Sequence, residues 1–275
     1  MIHCHGGLNS LSQTPVPAAG MLALMSEPVL QELVSLCLKL GSPTADLAIL
    51  GEGNASAKAG SGQFYVKASG FSMSNITASG FSLVNFEPIL DALDGPDLSD
   101  AAVRSLLAES RAEPDHDPTP SVETFMHAYL LSLRDVNFVG HTHPTPLISL
   151  LSVEGCEEIA RQRLFPDEIV CCGPATAFVP YVDPGLPLAR AIKASVEDFI
   201  DEFGMVPKSI WLQNHGLIAP AKSVRDVESA TFMGIKAARA WVGALSTGRT
   251  MRPLTSQAID RIHTRPDEHY RQRLI

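Results

Sequence analysis

The 275-residue chain has no apolar run long enough to cross a bilayer. Its first residues lack a charged region followed by a long apolar core, so no signal peptide is expected. Positive charge is in short supply: 21 basic residues face 30 acidic ones, for a net charge of −9. No basic patch or aromatic-studded basic stripe appears, which excludes nucleic acid as an expected partner. An anionic ligand would have to be met by a local site and not by the field of the whole protein. Cysteine is scarce: Cys4, Cys37, Cys156, Cys171 and Cys172 are odd in number, two are adjacent, and none forms a C-x-x-C. That pattern fits reduced thiols in a cytoplasmic protein and argues against a disulfide frame. Low-complexity linkers, internal repeats and breaks in composition are also missing. What is present is a chain that is 45% hydrophobic, enough for a sizeable core. We expect one large domain at residues 21–250, between a loose Ser/Pro/Gly/Ala-rich arm at 1–20 and a charged tail at 251–275.

The stretch Val136-Asn137-Phe138-Val139-Gly140-His141-Thr142-His143 is β-leaning and ends in two histidines one residue apart. On a strand, residues i and i+2 share a face, so His141 and His143 would offer two imidazoles side by side to a divalent metal. Pro144 cannot donate to a ladder and should end the strand. An H-x-H alone is weak evidence. His3-Cys4-His5 is a similar lure, set aside because nothing around it would hold it still.

Around this stretch the pattern predicts alternating helices and strands. Ser26 caps a helix with Pro28 in its first turn and Gly41 after its end. Gly51-Glu52-Gly53-Asn54-Ala55-Ser56 imitates a dinucleotide loop, but lacks the third glycine and a closing acidic residue. A tight turn whose Asn54 amide faces a ligand suits it better. Gln63–Lys67 is a strand running into Ala68-Ser69-Gly70, which is either an anion-facing turn or a plain loop corner. Phe86–Leu93 and Ser99–Ala112 are expected helices. Thr119 and Pro120 fit the cap and first position of a helix through Leu133, with Ser121 in its first turn and Glu123 one turn in. Glu123 could simply suit the helix dipole, and His127 is taken as structural. Short helices follow at 146–151 and 157–163, then strands at 168–172 and 177–181. A long amphipathic helix spans 187–203. A strand at 209–213 turns at Asn214-His215-Gly216 and resumes at 217–219. The last long helix starts at Ser223 and runs to about Leu245.

Taken together these residues resemble the class II aldolase/adducin family, the group that contains L-fuculose-phosphate and L-rhamnulose-phosphate aldolases. The matching pieces are Gly53-Asn54-Ala55-Ser56, Lys67-Ala68-Ser69-Gly70, Pro120-Ser121-Val122-Glu123, His141-Thr142-His143-Pro144 and Asn214-His215-Gly216-Leu217. They fall in the family's order and cover roughly residues 30 to 245. The resemblance implies an α/β fold, a three-layer α/β/α sandwich around a largely antiparallel central sheet. It implies a metal, usually zinc, with another divalent ion possible, held by His141, His143 and His215. Glu123 matches the catalytic carboxylate, and Asn54, Ser69, Gly70 and Ser121 match substrate phosphate-binding positions. It also implies a homotetramer with sites at subunit interfaces, where a tyrosine from a neighbour's tail contributes; Tyr270 is the tail's tyrosine.

Val122 stands where the fuculose-type enzymes have a second serine, and Lys67-Ala68-Ser69-Gly70 replaces a threonine-proline-threonine-glycine run. Whether the substrate is phosphorylated therefore stays open. Lys67 could pair with a substrate carboxylate or sit solvated at a strand end. The chemistry implied is retro-aldol cleavage of a hydroxy-ketone, a sugar or sugar phosphate, through a metal-stabilised enediolate, with Glu123 moving the proton. The alternatives are a metal-dependent decarboxylase of a keto or hydroxy acid on the same site and a non-catalytic, adducin-like interaction module.

Overall fold

The computed structural model describes residues 28–60, 62–114 and 118–267. The whole arm at 1–20 with His3-Cys4-His5, the expected helix cap Ser26, His116, and the end of the tail with Tyr270 lie outside these residues. In chain order, α1 (Pro28–Leu40) precedes β1 (Asn54–Ala59), β2 (Gln63–Lys67) and β3 (Phe81–Asn85). Helices α2 (Phe86–Asp94), α3 (Asp100–Glu109) and α4 (Thr124–Ser132) follow, then β4 (Phe138–Thr142). Next come α5 (Thr145–Leu151), α6 (Cys156–Ala160), α7 (Pro166–Cys172), β5 (Ala177–Val179) and α8 (Leu186–Phe203). Strands β6 (Ile210–Leu212) and β7 (Gly216–Ala221) lead to α9 (Val224–Leu245) and α10 (Ser256–His263).

The seven strands form one sheet in the order β3-β2-β1-β4-β7-β6-β5. Every pairing is antiparallel except β5 with β6. Strand side chains alternate between two apolar layers. Val139 and Ile218 join Leu130 of α4, Ile89 of α2 and Ile192 of α8 on one face. Phe138 and Leu217 join Leu33 of α1, Leu147 of α5 and Trp241 of α9 on the other. Each such large side chain taken out of water contributes about 1.5–3 kcal/mol. The result is the expected three-layer sandwich. Cys37, Cys156, Cys171 and Cys172 are free thiols. No helix among the described residues is long and apolar enough to cross a membrane.

Two local expectations are overturned. The helix carrying Glu123 starts at Thr124, not at Pro120. Pro120 is held in a bridge to Ala68, and the Thr119 carbonyl accepts from the Ser69 backbone N–H at 3.1 Å. That sheet-like pairing keeps residues 119–120 extended and overrides their helix-start chemistry. Ser121 thus lies before the first helical turn, and Glu123 sits at the cap position with φ −79° and ψ −4°. Residues 168–172 belong to α7 and not to a strand. Pro166 opens that helix, and the Glu168 carboxylate reaches back to accept from the Leu164 N–H at 2.8 Å. These start signals outweigh the β-propensity of Ile169-Val170.

Candidate metal centre

His141 lies on β4, fully buried, opposite Asn54 of β1 in the ladder. Its Nδ1 lies 3.0 Å from the Leu217 carbonyl of β7. Only a protonated Nδ1 can donate to that oxygen, which leaves Nε2 with a free lone pair. His143 falls just past the end of β4, where its backbone N–H donates to the Leu47 carbonyl at 2.7 Å. His215 sits in the turn between β6 and β7, after Asn214 in a left-handed conformation (φ 54°). Gly216 lets β7 start flush against β4: a Cβ there would meet the Thr142 carbonyl oxygen at 2.3 Å. Gly53 plays the same part for β1, since a Cβ would meet the His141 carbonyl oxygen at 2.7 Å.

The three rings face one another edge-on, with centroids 4.7, 4.9 and 4.8 Å apart. His141 Nε2 is 2.9 Å from His143 Nε2 and 3.3 Å from His215 Nε2. Nitrogen lone pairs brought this close repel unless something positive lies among them. Two nitrogens bound to one tetrahedral zinc at about 2.0–2.1 Å stand about 3.3 Å apart, so the set fits a cation. The three are the group of His, Cys, Asp or Glu side chains able to share an ion among the described residues. Burial, and then the neighbouring rings of His141 and His215, push His143 down to about 3, so it is neutral near pH 7 and ready to ligate.

Glu123 joins them from the start of α4. Its Oε1 lies 3.3 Å from His215 Nε2 and 3.6 Å from His141 Nε2. Burial pulls its carboxyl upward, but positive charge at the His141 and His215 rings outweighs burial and holds it far below the usual carboxylate range. Its other oxygen, Oε2, accepts from the Asn54 side-chain amide. The Asn54 Oδ1 in turn meets His127 Nε2, and His127 Nδ1 lies 2.6 Å from Ser56 Oγ. His127 is fully buried, and burial pushes it down to about 3. The sequence alone reads His127 as structural and Ser56 only as part of the Gly53–Ser56 motif, with no link between them. The signal was there: 54 and 56 share a face of β1, and 123 and 127 are one helical turn apart.

The other expected positions are placed as follows. Asn54 is the first residue of β1, and its amide turns to Glu123 and His127. Ser69 and Gly70 are exposed beside the 119–121 segment, to which Ala68 and Ser69 are bonded. Ser121 leads directly into Glu123, and its Oγ is buried without a hydrogen-bond partner among the described residues. Lys67 is not solvated: it is buried, with Nζ 3.5 Å from the Ala68 carbonyl. Burial lowers its pKa, and the fields of Cys37 and Glu123 oppose that.

A model of the class II aldolase and adducin N-terminal domain matches residues 31–242. The chain belongs to this family. Solved structures of similar fold include the N-terminal class II aldolase domain of a protein from Thermoplasma acidophilum, at 23% identity and TM-score 0.61, covering 86% of this chain and 100% of that one. An L-fuculose 1-phosphate aldolase aligns at 17% identity and TM-score 0.62, over 86% of this chain and 95% of that one. YgbL from Klebsiella pneumoniae, provisionally described as an aldolase, epimerase or decarboxylase, aligns at 20% identity and TM-score 0.61, over 85% and 97%. No curated protein sequence matches the chain significantly.

In this class II aldolase-family chain the site has one chemical character. A divalent ion held by three imidazole nitrogens would keep its full charge and open positions, as catalytic metal sites do. A carboxylate stands beside it, held from behind by a buried amide.

Proposed function

We propose that the chain is a zinc-dependent lyase that cleaves a hydroxy-ketone, a sugar or sugar phosphate, by retro-aldol reaction. The observation that carries this is the convergence of three imidazole nitrogens with a Glu123 carboxylate oxygen 3.3 Å from the cluster. His141, His143 and His215 would hold the cation. Bound there, it supplies a Lewis acid that polarises a carbonyl and steadies the negative charge left when a carbon–carbon bond breaks. Glu123 Oε1, ionised at rest, takes the proton of the hydroxyl on the carbon that leaves as aldehyde and hands it to the fragment carbon after cleavage; the condensation direction reverses both transfers. Its Oε2 is engaged by Asn54, so Oε1 is the atom that moves protons. The unpartnered Ser121 hydroxyl, with Ser69 and Gly70, binds the far end of the substrate, while the Asn54 amide is taken up by Glu123 and His127. All three histidines and the carboxylate are in place, which disfavours a non-catalytic, adducin-like module.

A second reaction on the same site is decarboxylation of a keto or hydroxy acid, which leaves the same kind of enolate. Lys67 favours it: a buried ammonium with no ion pair within 4 Å among the described residues suits a substrate carboxylate. The protein would work as a cytoplasmic homotetramer. Ile49 and Leu50 are exposed apolar residues on the loop that leads from Leu47, whose carbonyl anchors His143, which suits a subunit contact beside the site.

The test is a panel of ketoses, ketose phosphates and β-keto acids given to chelator-stripped protein, before and after zinc, cobalt or manganese is restored. Aldehyde formation that requires metal supports the lyase. Carbon dioxide release without aldehyde supports the decarboxylase. Turnover untouched by stripping refutes both.

A further inference from the structure

The buried chain behind Glu123 has a direction. An ionised carboxylate only accepts, so Asn54 must turn its NH2 to Glu123 Oε2 and its Oδ1 to His127. Oδ1 only accepts, so His127 must carry its proton on Nε2. His127 Nδ1 is then a lone pair, to which the Ser56 hydroxyl donates at 2.6 Å. Each link thus fixes the next, from Glu123 on to Asn54 on β1, His127 on α4 and finally Ser56 on β1. Ser56 and His127 are both fully buried. Neither side chain contacts the three candidate metal ligands through any of these bonds.

A free asparagine amide can rotate and swap its O and N ends with little loss of shape. With the oxygen turned to Glu123, two acceptors would face each other in a buried site, which is costly. An Nε2-protonated His127 forbids that orientation, because its N–H can bond only the oxygen end. Ser56 supports that tautomer by donating its hydroxyl to the remaining Nδ1 lone pair, which would otherwise be buried without a partner.

We infer that Ser56 and His127 are positioning residues: they lock the Asn54 amide so that it donates to Glu123 Oε2 and leaves Oε1 as the single proton-transferring atom. This rests on the lyase proposal for what Glu123 does, but the lock itself does not depend on the reaction. With the lock broken, the oxygen end of the Asn54 amide loses its anchor, the amide is free to swing, its hydrogen bond to Glu123 weakens, and Oε1 drifts from the position it needs. A misplacement on the order of 1 Å costs about 100-fold in rate.

Two measurements test it. The first uses the wild-type chain with 15N-labelled histidine, followed by NMR with and without zinc. The expected result is His127 protonated at Nε2 and bare at Nδ1, with the Nδ1 signal moving on Ser56→Ala. Protonation at Nδ1 would reverse every bond in the chain and overturn the inference, whatever the enzyme does. The second uses zinc-loaded His127→Leu and His127→Gln, with deuterium exchange of the hydroxymethyl protons of dihydroxyacetone in D2O as the readout. Glutamine can still offer Asn54 an N–H; leucine cannot. The expected kcat for exchange falls about 100-fold in the leucine variant and recovers to within about tenfold of wild type in the glutamine variant, with KM and bound zinc unchanged. A leucine variant that holds zinc and exchanges at the wild-type rate would mean that His127 only fills space. If the wild-type protein itself shows no exchange, the lyase proposal is what suffers, and the tautomer still decides the lock.

Discussion

His127 gives the protein a measurable acid sensitivity of its own. The residue is fully buried and its pKa is pushed from 6.5 down to about 3 by burial. In the unfolded chain it titrates normally. Between those two values the unfolded state binds a proton that the folded state refuses, so stability falls as pH falls through this window and is fully present above 6.5. From the unfolded value of 6.5 down to pH 5 the span is about 1.5 pH units, or about 2 kcal/mol. His143 is depressed to a similar degree and contributes a loss of its own. A His127→Gln variant removes only the first contribution, because His143 is common to both proteins and cancels in the comparison. Urea unfolding of the metal-stripped chains, followed by circular dichroism near pH 7 and pH 5, should show the wild type losing about 2 kcal/mol more than the variant. Equal losses in the two proteins would mean that His127 is protonated, or reachable by water, in the folded state. The buried bond chain to Glu123 would then be wrong.

Other outcomes follow from the same structure. Glu123→Gln keeps the shape but cannot take a proton; turnover should fall by about 100- to 10,000-fold while bound zinc, measured by plasma emission, stays near the wild-type level. Arg163 is buried and donates to the Gly173 and Gln162 carbonyls at 2.8 Å, with Glu168 at 3.7 Å. Arg163→Leu strands that buried carboxylate and should cost about 3–5 kcal/mol in denaturant unfolding. Leu50 is 85% exposed with φ 56°. Leu50→Asp suits that backbone and should shift a tetramer, near four times 29.5 kDa by light scattering, toward smaller species.

Much of this arrangement is legible in the sequence because it depends on local chemistry. Pro28, Ser99, Ser223 and Gly204 mark helix ends as capping rules demand. The H-x-H at the end of β4 and the histidine at the β6–β7 turn follow from strand periodicity and a glycine turn. What was hidden is long-range. Nothing local says that residues 119–120 pair with 68–69, so local signals alone start α4 four residues too early, at Pro120. Nothing local says that β1 and α4 face each other, so Ser56 and His127 looked unrelated although they are 2.6 Å apart. In 168–172 the sequence held competing signals, and the capping glutamate outweighed β-propensity because its carboxylate closes on a backbone N–H.

The central claim is that His141, His143 and His215 hold one divalent cation. Chelator-stripped wild-type chain and the triple variant His141→Ala, His143→Ala, His215→Ala should be titrated with zinc in parallel, with bound metal counted by plasma emission and folding checked by circular dichroism. One tightly held zinc per wild-type chain, and none in a folded triple variant, is the expected result. A wild-type chain that holds no metal, or a triple variant that binds it as tightly, would contradict the account.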